Sequence, residues 1–350
     1  MAFIAGQEIF TNEAWKKVED ISGKDKVLVR NFLGDAEFIQ PFALKKRHYD
    51  GEIIQLGARD WSFSVTPEHK ILYDRRREFV KMEKTTAEKF ELNVRHQIYR
   101  KFNYMFPEEL RKEYITIWDE FGKRTVTIQH EDWYKLVGYV LCRGFIKTGY
   151  GRPMLYLFLD EYNIEKEILI LGDIFDRMGL PYHVQYSEKT RAKLVVSSKN
   201  TLASRLNYRL GSFKRKEMYL SDRIIYRSTK EYAKILLDSI AEASRKFDTP
   251  VTDTFQMSTT NKRLLDSLVL FGTMHGYGVR YYASHNIGDK TPFGVVKKQS
   301  YVMKISQPTD LYTPKYKKTR DYSGNVYEID LFNGQVYVKE GSMPVWIDPK

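Results

Sequence analysis

Two distant stretches of the chain obey the same rule, and that repetition constrains the fold more than any other feature. Trp133-Tyr134-Lys135-Leu136-Val137-Gly138-Tyr139-Val140-Leu141-Cys142-Arg143-Gly144 carries apolar residues at Leu136, Val137, Val140 and Leu141. Residues 232–245 carry them at Ala233, Leu236, Leu237, Ile240 and Ala241. The i, i+3, i+4 spacing predicts one apolar stripe on each of two helices. Gly138 and Cys142 on the first and Ser239 and Ala243 on the second are small residues at i, i+4, on one face of each helix. Cys142 is thereby a packing residue rather than a nucleophile. A further helix and strand recur in each half, at 170–179 with 182–186 and at 264–272 with 279–282. Strand-like runs lie at 154–159 and 193–197. The order α-β-β-α-β, twice over, predicts a pseudo-two-fold α/β domain over 131–305, with halves about 131–227 and 228–305. Because the duplication lies within the chain, a monomer is expected.

The flanking segments read differently. Short strand-like runs at 26–30, 37–39, 52–56, 62–65 and 71–73 are punctuated by Gly23, Gly34-Asp35 and Asp50-Gly51. Near the end, Asn333-Gly334 between runs at 325–330 and 335–339 is a hairpin signal. These patterns predict a compact all-β domain built from 1–130 and 306–350, with a helical connector in 80–125.

Charge separates the middle from the ends. Lys and Arg number 57 against 45 acids, a net +12. Residues 131–305 hold 28 basic and 18 acidic residues, a net +10, whereas 1–130 hold 23 and 21 and the remainder balances. A polyanion partner is therefore expected for the middle. The candidate contacts are Arg191, Lys193 and Lys199 on one strand pair, then Arg205, Arg209, Lys214, Arg215 and Lys216 interleaved with Tyr208 and Phe213. Arg223 and Arg227 flank Tyr226, Lys262 and Arg263 precede the last helix, and Arg280, Lys290, Lys297 and Lys298 follow. Lysine and arginine neutralise phosphates, and arginine also reads guanine bidentately. The helix at 162–171, with Glu165 and Glu167, is expected to face away. The basic run Arg75 to Arg77 is either a plain loop or an extra phosphate contact.

Composition excludes other classes. A 42% hydrophobic content excludes bulk disorder, and a single Cys excludes a disulfide framework and a Cys-rich zinc site. No apolar run reaches the ~18 residues of a membrane span. The first ten residues lack the basic start of a signal peptide. No membrane partner and a cytoplasmic location, in a bacterial or phage-infected cell, are expected. The seven histidines show no metal-ligand spacing, so no resident cofactor is expected.

Particular blocks at the two ends resemble Hint (hedgehog/intein) domains. These are Gly6-Gln7-Glu8-Ile9-Phe10-Thr11 with Trp15-Lys16-Lys17-Val18, Gly23-Lys24-Asp25-Lys26-Val27-Leu28, Tyr49-Asp50-Gly51-Glu52, Val65-Thr66-Pro67-Glu68-His69-Lys70, and the closing run from Val326 to Ile347. The resemblance implies a discontinuous β-horseshoe interrupted by an insert. Splicing in that family requires a nucleophilic first residue and a terminal Asn. Here Phe3, or Ala2 with a one-residue slip, stands at the first position and Pro349 at the second, so neither step is available. Thr66 and His69 remain, and His69 is then expected to be a structural hydrogen-bonding residue. The chain begins and ends near the Hint boundaries, which suggests a freestanding protein.

Residues 136–144 and 236–245 resemble the two motifs of LAGLIDADG homing endonucleases, which occur inserted in Hint domains. That family cleaves duplex DNA with one carboxylate from the foot of each motif helix, holding divalent metal. The matching positions are Arg143 and Ser244. Arg143 brings positive charge where a metal would bind, and Glu242 points to another side of its helix. The resulting expectation is a DNA-binding protein derived from an intein-type homing endonuclease, without splicing or metal-dependent cleavage. The alternatives are an active endonuclease that uses Mg²⁺ and displaced acids such as Glu242, and a structural or regulatory subunit of a larger, phage-type nucleoprotein assembly. A self-splicing element ranks last.

Overall fold

Two strands of 15 residues each, Ala43–Gly57 and Tyr316–Asp330, tie the ends of the chain together. They pair antiparallel over their whole length, from Tyr316 opposite Gly57 to Asp330 opposite Ala43. With Phe3–Ile4 and Ser62–Val65 they close a four-stranded barrel. The turn expected at Asp50-Gly51 is absent, because both residues lie mid-strand opposite Ser323 and Tyr322. What Gly51 supplies is room. Tyr49 lies along its own strand and donates its hydroxyl to the Glu52 carbonyl at 2.8 Å. A Cβ on Gly51 would stand 3.1 Å from that hydroxyl oxygen. The opposite strand repeats the device, with Tyr322 donating to the Asn325 carbonyl at 2.7 Å across Gly324. The aromatic ring covers backbone that a strand glycine leaves bare.

The structure is a computed structural model. It describes the chain except residues 1, 14, 32–34, 59–60, 76–81, 94–95, 100–102, 105–114, 149–152, 160–163, 188–189, 197–199, 213, 215, 245–254, 292–293, 307–310, 332–333, 342–343 and 349–350, and except the side chains of 75, 82, 99, 103–104, 187, 190–191, 255–256, 291, 306 and 311–312. Two compact units result. One comprises 1–105, 276–282 and 307–350, and the other 106–275 and 283–306. Residues 276–282 group with the first unit by proximity, yet the strand Gly278–His285 that contains most of them is hydrogen-bonded into a sheet of the second. We assign that strand to the second unit, since its ladder fixes it.

Among the described residues the first unit is all β apart from one short 3-10 turn, Val18–Asp20. A second sheet joins Val27–Arg30, Asp35–Ile39, Glu8–Phe10 and Trp15–Lys17 to Gln335–Lys339, again combining the two ends of the chain. Phe3, Ile9, Val27, Leu56, Phe63 and Val336 belong to one buried cluster. The hairpin expected at Asn333-Gly334 does not form, because the strands before and after it lie in different sheets. Tyr316–Asp330 belongs to the barrel, and Gln335–Lys339 pairs with Val27–Arg30 in the other sheet. Gly334, at φ 110°, is required there, because a Cβ would sit 2.6 Å from the Arg30 carbonyl oxygen. The helical connector expected over 80–125 is also corrected. Its described residues form the strands Met82–Thr86, His96–Tyr99, Asn103–Tyr104 and Ile115–Asp119, and part of Arg124–Ile128. Pairing partners far along the chain, such as Leu311–Tyr312 for His96–Tyr99 and Asp35–Ile39 for Asn103–Tyr104, outweigh local helix propensity.

The helices lie in the second unit: α1 (His130–Arg143), α2 (Ile164–Arg177), α3 (Leu202–Leu210), α4 (Asp222–Ile225), α5 (Lys230–Ser244) and α6 (Lys262–Met274). A four-stranded antiparallel sheet runs in the order Gly144–Lys147, Met154–Phe158, Thr190–Val196, Tyr182–Ser187, and a three-stranded one in the order Phe255–Thr259, Ser300–Ser306, Gly278–His285. The first half thus reads α-β-β-α-β-β before α3. In the second half one described strand precedes α6, and the sheet is completed by strands after it. The hairpin of Ile115–Asp119 and Arg124–Ile128 groups with this unit.

Candidate nucleic-acid interface

Helices α1 and α5 cross where their small residues meet. A Cβ on Gly138 would stand 2.6 Å from the Ser239 Cβ and 3.0 Å from the Leu236 carbonyl oxygen, so only glycine allows this approach. Cys142 is buried, with Sγ 3.7 Å from the Ile240 carbonyl oxygen and 3.8 Å from the Met257 sulfur. Arg143 and Ser244 are the last residues of the two helices. The Arg143 Nε donates to the Ala243 carbonyl at 2.5 Å, which joins one helix foot to the other.

Arg143 also forms an ion pair through Nη1 with Glu167 of α2, the two side chains being 15% and 9% exposed. Glu167 therefore does not face away as its acidic surroundings suggest. A guanidinium this deep needs a counter-charge, and α2 supplies it. Ser244 turns back on its own helix, donating Oγ to the Ile240 carbonyl at 2.5 Å. Burial, with Glu242 next and then Glu167, pushes the Tyr139 hydroxyl far above its ordinary pKa. That hydroxyl meets no hydrogen-bond geometry among the described residues, so Glu242 acts on it by charge. The helix feet thus present one cation, two carboxylates and a neutral phenol. Mg²⁺ needs several oxygen ligands, and here the guanidinium already holds one carboxylate and would repel the metal. The residues do not fit a two-metal centre, and no cluster of three or more His, Cys, Asp or Glu among the described residues could hold a metal ion.

In the first unit, Phe3, Thr66 and His69 are all fully buried. The Phe3 and His69 rings meet edge to face, centroids 5.6 Å apart. Burial pushes the His69 pKa down to about 3. The Asp348 backbone slightly favours the charged ring, but neither ring nitrogen has hydrogen-bond geometry with a described residue. His69 is therefore a neutral ring packed on Phe3, with the Asp348 backbone close enough to act on it. Thr66 Oγ1 beside it is likewise without a hydrogen bond. Pro349 lies outside the described residues.

The basic candidates spread over several elements. Lys193, on Thr190–Val196, stands 5.5 Å from the Tyr156 ring centroid, on a face where Phe145 stacks with Tyr156 and Phe158. The Arg191 side chain lies outside the description, as do Lys199 and Arg215. Arg205 and Arg209 lie on α3, not on strands. Arg209 is 8% exposed and donates to the Arg223 carbonyl at 3.2 Å, so little of its guanidinium faces solvent. Arg223, in α4, lies over the Tyr208 ring at 3.4 Å, and Arg263 over the Tyr219 ring at 3.6 Å. Lys262 and Arg263 open α6 rather than precede it, and Lys262 pairs with Asp266. Lys214 pairs with Glu217, and Lys216 is exposed. Arg227 is half-buried just after α4, and Arg280 lies half-buried on Gly278–His285. Lys290, Lys297 and Lys298 are exposed around Lys290–Thr291 and Gly294–Val295.

No family model matches the chain, and no curated protein sequence does. Among solved structures, a splice-inactive AceL NrdHF class 3 split intein is 16% identical, with TM-score 0.25, over 56% of this chain and 97% of that one. Mesophilic variants of the homing endonuclease I-DmoI are 14% identical, with TM-score 0.37, over 51% and 83%. I-DmoI in complex with DNA and Ca is 16% identical, with TM-score 0.36, over 51% and 83%. No residue's role is transferred from them.

One aromatic side chain, Trp118, escaped the reading of charge, whereas Tyr208 was among the residues interleaved with the basic candidates. Trp118 is 44% and Tyr208 51% exposed. Trp118 occupies an outward position in the alternating run Ile-Thr-Ile-Trp-Asp, where Ile115, Ile117 and Asp119 point inward. An indole at a solvent-facing strand position was the available signal.

Proposed function

We propose that the chain binds double-stranded DNA through the basic surface of its second unit, on a scaffold of the LAGLIDADG kind carried within a Hint-like β domain. In this reading it has lost both splicing and metal-dependent cleavage. One observation carries the loss of cleavage. The foot of α1 ends in Arg143, held by Glu167 and by the Ala243 carbonyl, beside a Ser244 that bonds to its own helix. Two-metal phosphodiester cleavage needs carboxylates that converge on a metal there. An arginine tied into an ion pair holds the two helix ends together but contributes no metal ligand.

The positive excess of 131–305 supports the grip. Arg205 and Lys216 are exposed on the α3 side, and Lys297 and Lys298 on the other sheet's side. The test is a supercoiled plasmid library incubated with the protein and Mg²⁺. The expected result is retarded plasmid that runs as intact supercoil after the protein is stripped. Nicked or linear product, lost in Glu242→Gln, would instead establish an endonuclease with displaced acids.

A further inference from the structure

The hairpin Ile115–Asp119/Arg124–Ile128 and helix α3 enclose a cleft of about 490 Å³, inside the range of roughly 300–1,000 Å³ common to small-ligand sites. Two reciprocal hydrogen bonds fix its walls. The Trp118 amide donates to Thr201 Oγ1 at 2.8 Å, and the Thr201 amide donates to the Trp118 carbonyl at 3.0 Å. On the hairpin side, Trp118 pairs across the ladder with Thr125, and Thr116 shares their face. On the helix side, Ser204, Arg205 and Tyr208 fall at i, i+1 and i+4, so all three turn to the cleft while Leu202, Leu206 and Leu210 turn inward. Arg223 lies over one face of the Tyr208 ring, which leaves the other for a ligand.

The lining is thus two exposed aromatic rings, hydroxyls and an exposed arginine, with Ile117, a buried residue, as its one aliphatic side chain. It lacks the aliphatic surface that a greasy ligand or a helix from another protein would need. Aromatic planes beside arginine are the chemistry of unpaired nucleobases, which stack while the cation meets the phosphate. A base within a duplex has both faces covered and cannot enter. We propose that this cleft binds an unpaired nucleotide, with the base stacked on Trp118 or on the open face of Tyr208 and the phosphate on Arg205. It rests on the reading of the chain as a nucleic-acid binder, and it adds to Arg205, one of the cations offered to duplex DNA, two aromatic rings on which a paired base could not stack.

The full chain is titrated with three labelled probes of one sequence: blunt duplex, the same duplex with a single-stranded thymidine overhang, and oligothymidylate alone. Protein emission is followed alongside. Trp118 is exposed and Trp15 half-buried, while Trp61, Trp133 and Trp346 are buried, so stacking should quench a part of the signal that is lost in Trp118→Ala. The expected result is binding of the overhang duplex about tenfold tighter than blunt duplex, the order of effect of one or two stacked bases. Trp118→Ala and Tyr208→Ala should each reduce that advantage without changing the blunt-duplex Kd, and Trp118→Phe should retain it. Equal affinity for blunt and overhang duplexes, or variants that weaken both alike, would overturn the inference and leave duplex binding standing. Quenching by oligothymidylate without any duplex binding would uphold the cleft and overturn the duplex reading. No binding to any probe overturns both.

Discussion

At the scale of single residues, Arg143 and His69 carry the clearest expectations. Arg143 and Glu167 are a nearly buried pair, so each is costly without the other. Glu167→Gln should destabilise the protein by about 3 kcal/mol, and the double variant Arg143→Met/Glu167→Met by far less or not at all. Urea unfolding of the single and double variants checks this. His69 has a folded pKa of about 3 against an ordinary 6.5. As the pH falls below 6.5 the unfolded chain takes up a proton that the folded one refuses, so stability is lost from there down to about pH 3. His275 is depressed to about 3 in the same direction, by burial and by Lys230. His69→Gln should therefore flatten, without abolishing, the loss of urea resistance between about pH 6.5 and about pH 4. An unchanged slope would show that His69 is not buried neutral.

Much at this scale was legible in the sequence. The resemblance to the LAGLIDADG motifs singled out Arg143 and Ser244, and the local helical spacing predicted the two helices that they end. The partnership of Arg143 with Glu167 was not legible, since it joins residues on different helices and depends on how those helices pack. The burial of Arg209 was hidden for the same reason. Its charge is visible in the sequence, but the Arg223 carbonyl that receives it belongs to another element.

At the scale of elements, the crossing of α1 and α5 is set by Gly138 against Ser239. Gly138→Val should cost about 2–3 kcal/mol, because the Ser239 Cβ and the Leu236 carbonyl cannot yield as a flexible side-chain end could. The exchange Gly138→Ala/Ser239→Gly should recover most of the stability lost in Gly138→Ala alone. Thermal unfolding of the three variants measures it. The small-residue pattern announced this contact, whereas strand signals were less dependable. Asp50-Gly51 and Asn333-Gly334 look alike as turn dipeptides. One serves a tyrosine laid along a continuous strand, and the other lies between strands of two different sheets. The residues between 80 and 125 look helical by composition, yet their described parts include five strands, of which His96–Tyr99 and Asn103–Tyr104 find partners outside any local window.

At the scale of the whole molecule, the pairing of Ala43–Gly57 with Tyr316–Asp330 makes the first unit depend on both ends of the chain. The charge imbalance gave the second unit its proposed role, but charge counting could not tell an exposed Lys297 from a paired Lys214. The central claim is an electrostatic grip on duplex DNA, and the salt dependence of binding tests it most directly. The full chain titrated against a labelled blunt duplex at about 50 and about 200 mM salt should lose affinity by at least 10²-fold, as expected when several phosphates are neutralised together. No binding at the lower salt, or affinity that is indifferent to salt, would contradict the account.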